Sequence, residues 1–191
     1  MTHSLHLFPL LLAGALALPA HAAEEKPADA FFRQLSSLCG KAFEGRLVEG
    51  NPSDTRFREQ KLTMHVRECS PEVIRVPFHV GDDHSRTWVI SRTAQGLRLK
   101  HDHRHADGSE DSITQYGGDT AEAGTASLQS FPADAHTAKL IPAAAENTWR
   151  VEILPGQHYS YQLQRGERRF RVDFDLTKPV ALPPAPWGAK P

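Results

Sequence analysis

The amino-acid sequence predicts an all-β protein: an antiparallel up-and-down β-barrel of about nine or ten strands, preceded by one short N-terminal helix. Three observations carry that prediction. Short runs of alternating apolar and polar residues recur from Leu62 to Leu176, and turn residues separate them at hairpin spacing. Beyond Gly40 no convincing helical period appears.

The helix comes first. Asp29 to Leu38 puts Phe31, Phe32, Leu35 and Leu38 on one face, with Asp29 placed to cap the start and Gly40 to end it. Leu62, Met64 and Val66 then alternate with Thr63, His65 and Arg67. Ile74, Val76, Phe78 and Val80 follow, where Pro77 marks an edge or a bulge. Arg86 to Thr93 is a strand, turned by Ala94-Gln95-Gly96 into Leu97 to His105. Asp107-Gly108 is a hairpin turn signal leading into Glu110 to Tyr116. Thr125 to Phe131 is a weaker strand, and Pro132 to Asn147 a long loop with room for a helical turn. Trp149, Val151 and Ile153 alternate, as do Tyr159, Tyr161 and Leu163. A two-residue turn at Arg165-Gly166 would set Tyr161 opposite Phe170 and Tyr159 opposite Val172.

The 191 residues suit one domain plus a processed segment. Residues 1–22 hold no Lys, Arg, Asp or Glu. An apolar run from Leu7 to Leu18 leads to Ala20-His21-Ala22, the small-x-small form of a signal-peptide cleavage site. A bilayer span needs about 20 apolar residues, so a retained anchor is the weaker alternative and no membrane span is expected in the mature protein. The expected organisation is a signal peptide (1–22), a leader with the short helix (23–40), a barrel domain (41–178) and a proline-rich C-terminal tail (179–191), the tail read as mobile. Localisation would be periplasmic or extracellular. Cys39 and Cys69 are the only cysteines, and an oxidising compartment favours a bridge between them. With 22 basic and 23 acidic residues, the chain offers no field for nucleic acid or anionic lipid. A protein partner is left unspecified.

Histidine is the unusual residue, with 11 in the chain. On a strand, Leu97, Leu99, His101, His103 and His105 share one face, so the leucines carry the imidazoles inward toward one barrel mouth. A two-residue turn at Asp107-Gly108 sets His105 opposite Glu110, His103 opposite Ser112 and Arg104 opposite Asp111. Three readings stay open. His103 and His105 with Glu110, or His101 with His103, could bind zinc or another divalent transition metal. Alternatively His101, His103, His105, Glu110, Ser112 and Trp88 could surround a small ligand. The third is a solvated hairpin tip with no ligand. No nucleophile motif, zinc-protease motif or phosphate loop is present, and Gly117-Gly118 lacks the context for one.

The short helix followed by a meander is similar in architecture to the calycin group, lipocalins included, although the Gly-x-Trp signature is absent from Cys39-Gly40-Lys41-Ala42-Phe43-Glu44-Gly45. Arg86-Thr87-Trp88-Val89-Ile90, the run Leu97 to Asp111 and Tyr116-Gly117-Gly118 resemble a family of small exported bacterial proteins of uncharacterised activity, over about Phe31 to Lys178. That resemblance implies a bacterial, periplasmic or secreted protein and brings no functional residue. The expected function is a binding module with a histidine-lined site for a metal ion or small ligand. The alternatives are a metal- or histidine-dependent envelope enzyme and an envelope interaction protein without chemistry.

Overall fold

Apolar side chains at every second position give each strand one face for water and one for a core; a long meander of such strands buries the second face by rolling up. A computed structural model, which describes Met1 and residues 24–189, has this form. The chain runs through α1 (Pro27–Ser36), β1 (Ala42–Glu49), α2 (Thr55–Glu59), β2 (Leu62–His65), β3 (Glu68–Cys69) and β4 (Val73–Val80). It continues through β5 (Asp83–Arg92), β6 (Leu97–His103), β7 (Tyr116–Asp119), β8 (Leu128–Pro132), α3 (Ala135–Leu140) and a 3-10 turn at Pro142–Ala144. β9 (Thr148–Leu154), β10 (His158–Arg165) and β11 (Arg168–Val180) complete it. The sheet order is β7-β6-β5-β4-β2-β1-β11-β10-β9-β8, antiparallel at every pairing, with the two-residue β3 added on β4. The expected signal peptide lies, Met1 apart, outside the described residues. Among the described residues no helix is long and apolar enough to cross a membrane.

Because β1 pairs with β11, the meander lacks only a β7–β8 ladder to be a closed barrel. Gly117 and Gly118 let these two strands come close. A Cβ on Gly118 would stand 1.8 Å from the Pro132 carbonyl oxygen, and Gly117 has φ +147 with the Leu99 carbonyl 2.0 Å from its would-be Cβ. The Thr137 hydroxyl bridges the gap: it accepts from the Gly117 N–H and donates to the Gly117 carbonyl, each at 2.7 Å. The Asp134 N–H donates to the same carbonyl at 3.0 Å.

Alternating strand direction gives the barrel two ends. The lower end collects the starts of β1, β4, β6, β8 and β10. There α1 packs against β8 and β9, burying Phe31, Phe32 and Leu35 in one cluster with Ile90, Leu97, Leu99 and Ile153. The Arg92 guanidinium lies 4.3 Å over the Phe32 ring and pairs with Asp29. Asp29 therefore sits in the first turn rather than at the cap, which is Lys26. The disulfide Cys39–Cys69 ties the end of α1 to β3, with Cα atoms 6.3 Å apart. It closes a loop of 30 residues, worth about 3–4 kcal/mol in the chain-entropy account.

Three local expectations are corrected. The β10–β11 turn is Gly166-Glu167, not Arg165-Gly166: Arg165 pairs with Arg168, Tyr161 with Val172 and Leu163 with Phe170. Gly166 has φ +52, the conformation that the first central position of a II′ hairpin turn requires. The slip is two residues, so every side chain keeps its face. Next, Glu110 to Tyr116 is not a strand; Glu110 makes an isolated bridge to Arg104, residues 112–115 turn, and β7 begins at Tyr116. Lastly, β11 extends to Val180, and the tail beyond is docked: the Trp187 N–H donates to the His84 carbonyl at 3.0 Å. Pro77 occupies a break between the β2 and β3 ladders on β4 and keeps regular register with Thr87 of β5; the irregularity of β4 lies between Phe78 and Val80.

Candidate functional site

The inner face changes character toward the upper end. Below, β5 and β6 present Ile90, Leu97 and Leu99; above, the same faces present Trp88 and His101, which pair across the two strands. Phe78 from β4, Trp149 from β9, Tyr161 from β10 and Phe170 from β11 complete a ring of aromatic groups, and Phe57 of α2 lies over it. Trp88 is stacked between Phe78 (4.8 Å) and Tyr161 (4.4 Å). Phe57 meets Phe170 edge-on at 4.9 Å. Flat rings on a tapering wall leave space between them, here a cavity of about 300 Å³, at the small end of the usual range of ligand pockets.

His101 forms part of that wall. It is 3% exposed and stacks on Tyr116 at 4.2 Å between ring centres. Its Nδ1 lies 3.1 Å from the Tyr116 carbonyl, which can only accept, so Nδ1 carries the proton. Nε2 then accepts from the Tyr161 hydroxyl at 2.7 Å. Burial pushes the imidazole down to about 3, and burial also pushes the Tyr161 hydroxyl well above its usual value. Both ring nitrogens are occupied, so at neutral pH His101 is an uncharged, satisfied wall residue.

Of the other residues named from sequence, Trp88 shares this wall and the rest are placed apart from it. Trp88 and His101 line the cavity. His103 is half-buried at the rim, its Nε2 a long 3.5 Å from the Tyr116 hydroxyl, and burial lowers its pKa. His103 and His105 border a separate outer cleft with Arg56, Asp83 and Asp111. Ser112 and Glu110 are exposed. The expected juxtaposition of Glu110 with His105 does not occur: the Arg104 guanidinium holds Glu110 at 3.0 Å. The cause is turn length. The Gly108 N–H bonds to the His105 carbonyl and the His105 N–H to the Ser109 carbonyl, with Gly108 at φ +86. That is a three-residue loop, and one residue more than expected exchanges the faces. Arg104 therefore bonds Glu110, not Asp111. Among the described residues no group of three or more His, Cys, Asp or Glu side chains is arranged to hold a metal ion.

Three charged cavity residues escaped the sequence reading: Arg86, Arg165 and Arg168. Each occupies the last inward position at the upper end of its strand, two residues from Trp88, Leu163 and Phe170 respectively. Counting the alternation one step past the last apolar residue finds all three. Arg86 is held by Asp83, and Arg168 by Asp54 at 2.8 Å. Burial would raise both carboxyls, but hydrogen bonds outweigh it: from Ser85 and Arg86 on Asp83, from Arg168 and Asn51 on Asp54. Both stay below the usual carboxylate range. Among the described residues the Arg165 guanidinium bonds only the Ala143 carbonyl.

Set against known proteins, the chain matches no family model, no curated protein and no solved structure. The functional reading rests on the site. The cavity presents aromatic faces for dispersion and stacking, with guanidiniums at its opening.

Proposed function

We propose that the chain is an exported β-barrel protein that binds a small, ring-bearing organic molecule in the aromatic cavity at its upper mouth. The cavity carries the reading: about 300 Å³ of space walled by Trp88, Trp149, Tyr161 and Phe170, all nearly inaccessible to water. A barrel of this size fills with side chains or holds one small ligand, and the lower half of this interior is the filled part. Export is supported by the charge-free apolar leader ending in Ala20-His21-Ala22 and by the Cys39–Cys69 bridge.

The test is titration with naphthyl compounds, followed by the fluorescence of Trp88 and Trp149. One saturable site per chain is expected. Ala144→Trp and, separately, Leu163→Trp push bulk into the cavity and should each abolish binding while circular dichroism and melting remain close to those of the unaltered chain. Binding that survives both substitutions, or no binding by the unaltered chain, removes the proposal.

A further inference from the structure

We infer that the molecule held in this cavity bears an acid group, a carboxylate or an equivalent organic anion, seated at the rim against Arg165 and Asn147 with its ring system below. The inference rests on the ring-binding reading above and adds the chemistry of the head group.

The lining itself decides it. Arg86, Arg165 and Arg168 border the cavity, and among the described residues no Asp or Glu does. Asp83 and Asp54 stand behind their arginines and fix their direction, whereas Arg165 has a backbone carbonyl as its hydrogen-bond partner. A planar guanidinium with spare N–H groups suits a carboxylate, which it can meet with two parallel bonds. That carbonyl belongs to Ala143, one residue before Ala144 and four before Asn147, both of which line the cavity. Asn147 is 6% exposed, and its Oδ1 has no partner among the described residues. A half-turn of the carboxamide exchanges Oδ1 and Nδ2, so this buried group can turn a donor to an acid oxygen. Apolar rings below a cationic rim fit a molecule with the same two parts. A neutral ring compound would use the stacking surface and leave the guanidinium and the amide unmatched.

A matched pair of probes tests this at pH 7.5: 2-naphthoate, ionised there, and 2-naphthylmethanol, neutral and nearly the same shape. A charge-assisted hydrogen bond is worth about 1.5–3 kcal/mol, so naphthoate should bind about tenfold tighter or better. Arg165→Gln should bring the two affinities together by weakening naphthoate alone. In the unaltered chain, raising salt from about 20 to about 500 mM should weaken naphthoate and leave the alcohol unchanged. Equal binding of both probes, or a preference that survives Arg165→Gln and high salt, overturns the acid-group inference and leaves ring binding intact. Failure of both probes to bind the folded chain overturns ring binding as well.

Discussion

The two ends of the barrel are built from the same strands and fill their interiors differently. At the lower end the inward positions are Ile90, Leu97, Leu99 and Ile153, and α1 inserts Phe31, Phe32 and Leu35 among them. Branched and small aromatic groups interlock there, and a disulfide holds the helix to the sheet. At the upper end the corresponding positions are Trp88, His101, Trp149 and Tyr161, followed by arginines. The rings stack on one another there, and the cavity lies among them and the arginines. One end stores stability, and the other spends the same scaffold on an opening.

The contrast can be broken most forcefully at the lower end. Phe31→Ala removes a fully buried ring and should cost about 3–5 kcal/mol, read as a lower urea midpoint at unchanged slope, with probe affinity at the upper end unaltered. A fall in affinity matching the fall in stability would show that the ends are not separate. Replacing Cys39 and Cys69 by serine should cost about 3–4 kcal/mol in the same measurement, again without effect on the cavity. A loss well under this would mean that β3 and α1 are held by packing rather than by the bridge.

The gentlest probe is pH. His101 in the upper interior and His79 on the outside of β4 are both buried, at 3% exposure, and burial lowers them to about 3 and about 4 respectively. Beside His79 stand His84 and His65, which lower it further, and Asp83, which opposes them. Unfolded histidine titrates near 6.5, so between that value and the folded ones the unfolded chain binds more protons. Stability is whole above about pH 6.5 and declines as pH falls, by about 1.4 kcal/mol per unit for each group. Urea midpoints at pH 7.5, 6.5 and 5.5 stay above the carboxylate range and isolate the histidines. His79→Gln should remove part of the slope. A flat profile down to pH 5.5 would contradict the buried, neutral assignment of both rings.

What the sequence makes legible is parity. Every second residue of β6 points as the alternation says, which is why His101 is found inside, above Leu97 and Leu99. The same rule orders Trp149, Val151 and Ile153, and Tyr159 with Tyr161. Turn length is less legible, because one residue decides it. Asp107-Gly108 reads as a two-residue turn, but Gly108 takes the left-handed position of a three-residue loop and Glu110 changes face. The rim arginines were hidden for another reason: charge on an inner face looks like the end of a strand. Long-range docking left no local trace. The proline-rich tail gives no hint that Trp187 binds the His84 backbone, and Gly117-Gly118 reveals its purpose only once Pro132 is seen beside it.

The missing β7–β8 ladder has a bearing on the cavity wall. Around the rest of the wall many ladder bonds share the load, but along this slit three hydrogen bonds converge on Gly117, two of them from the Thr137 hydroxyl. Tyr116, the next residue back, is the plate stacked on His101. The cavity wall beside Tyr116 therefore rests on the Thr137 hydroxyl and the Asp134 N–H, with no ladder to share the load.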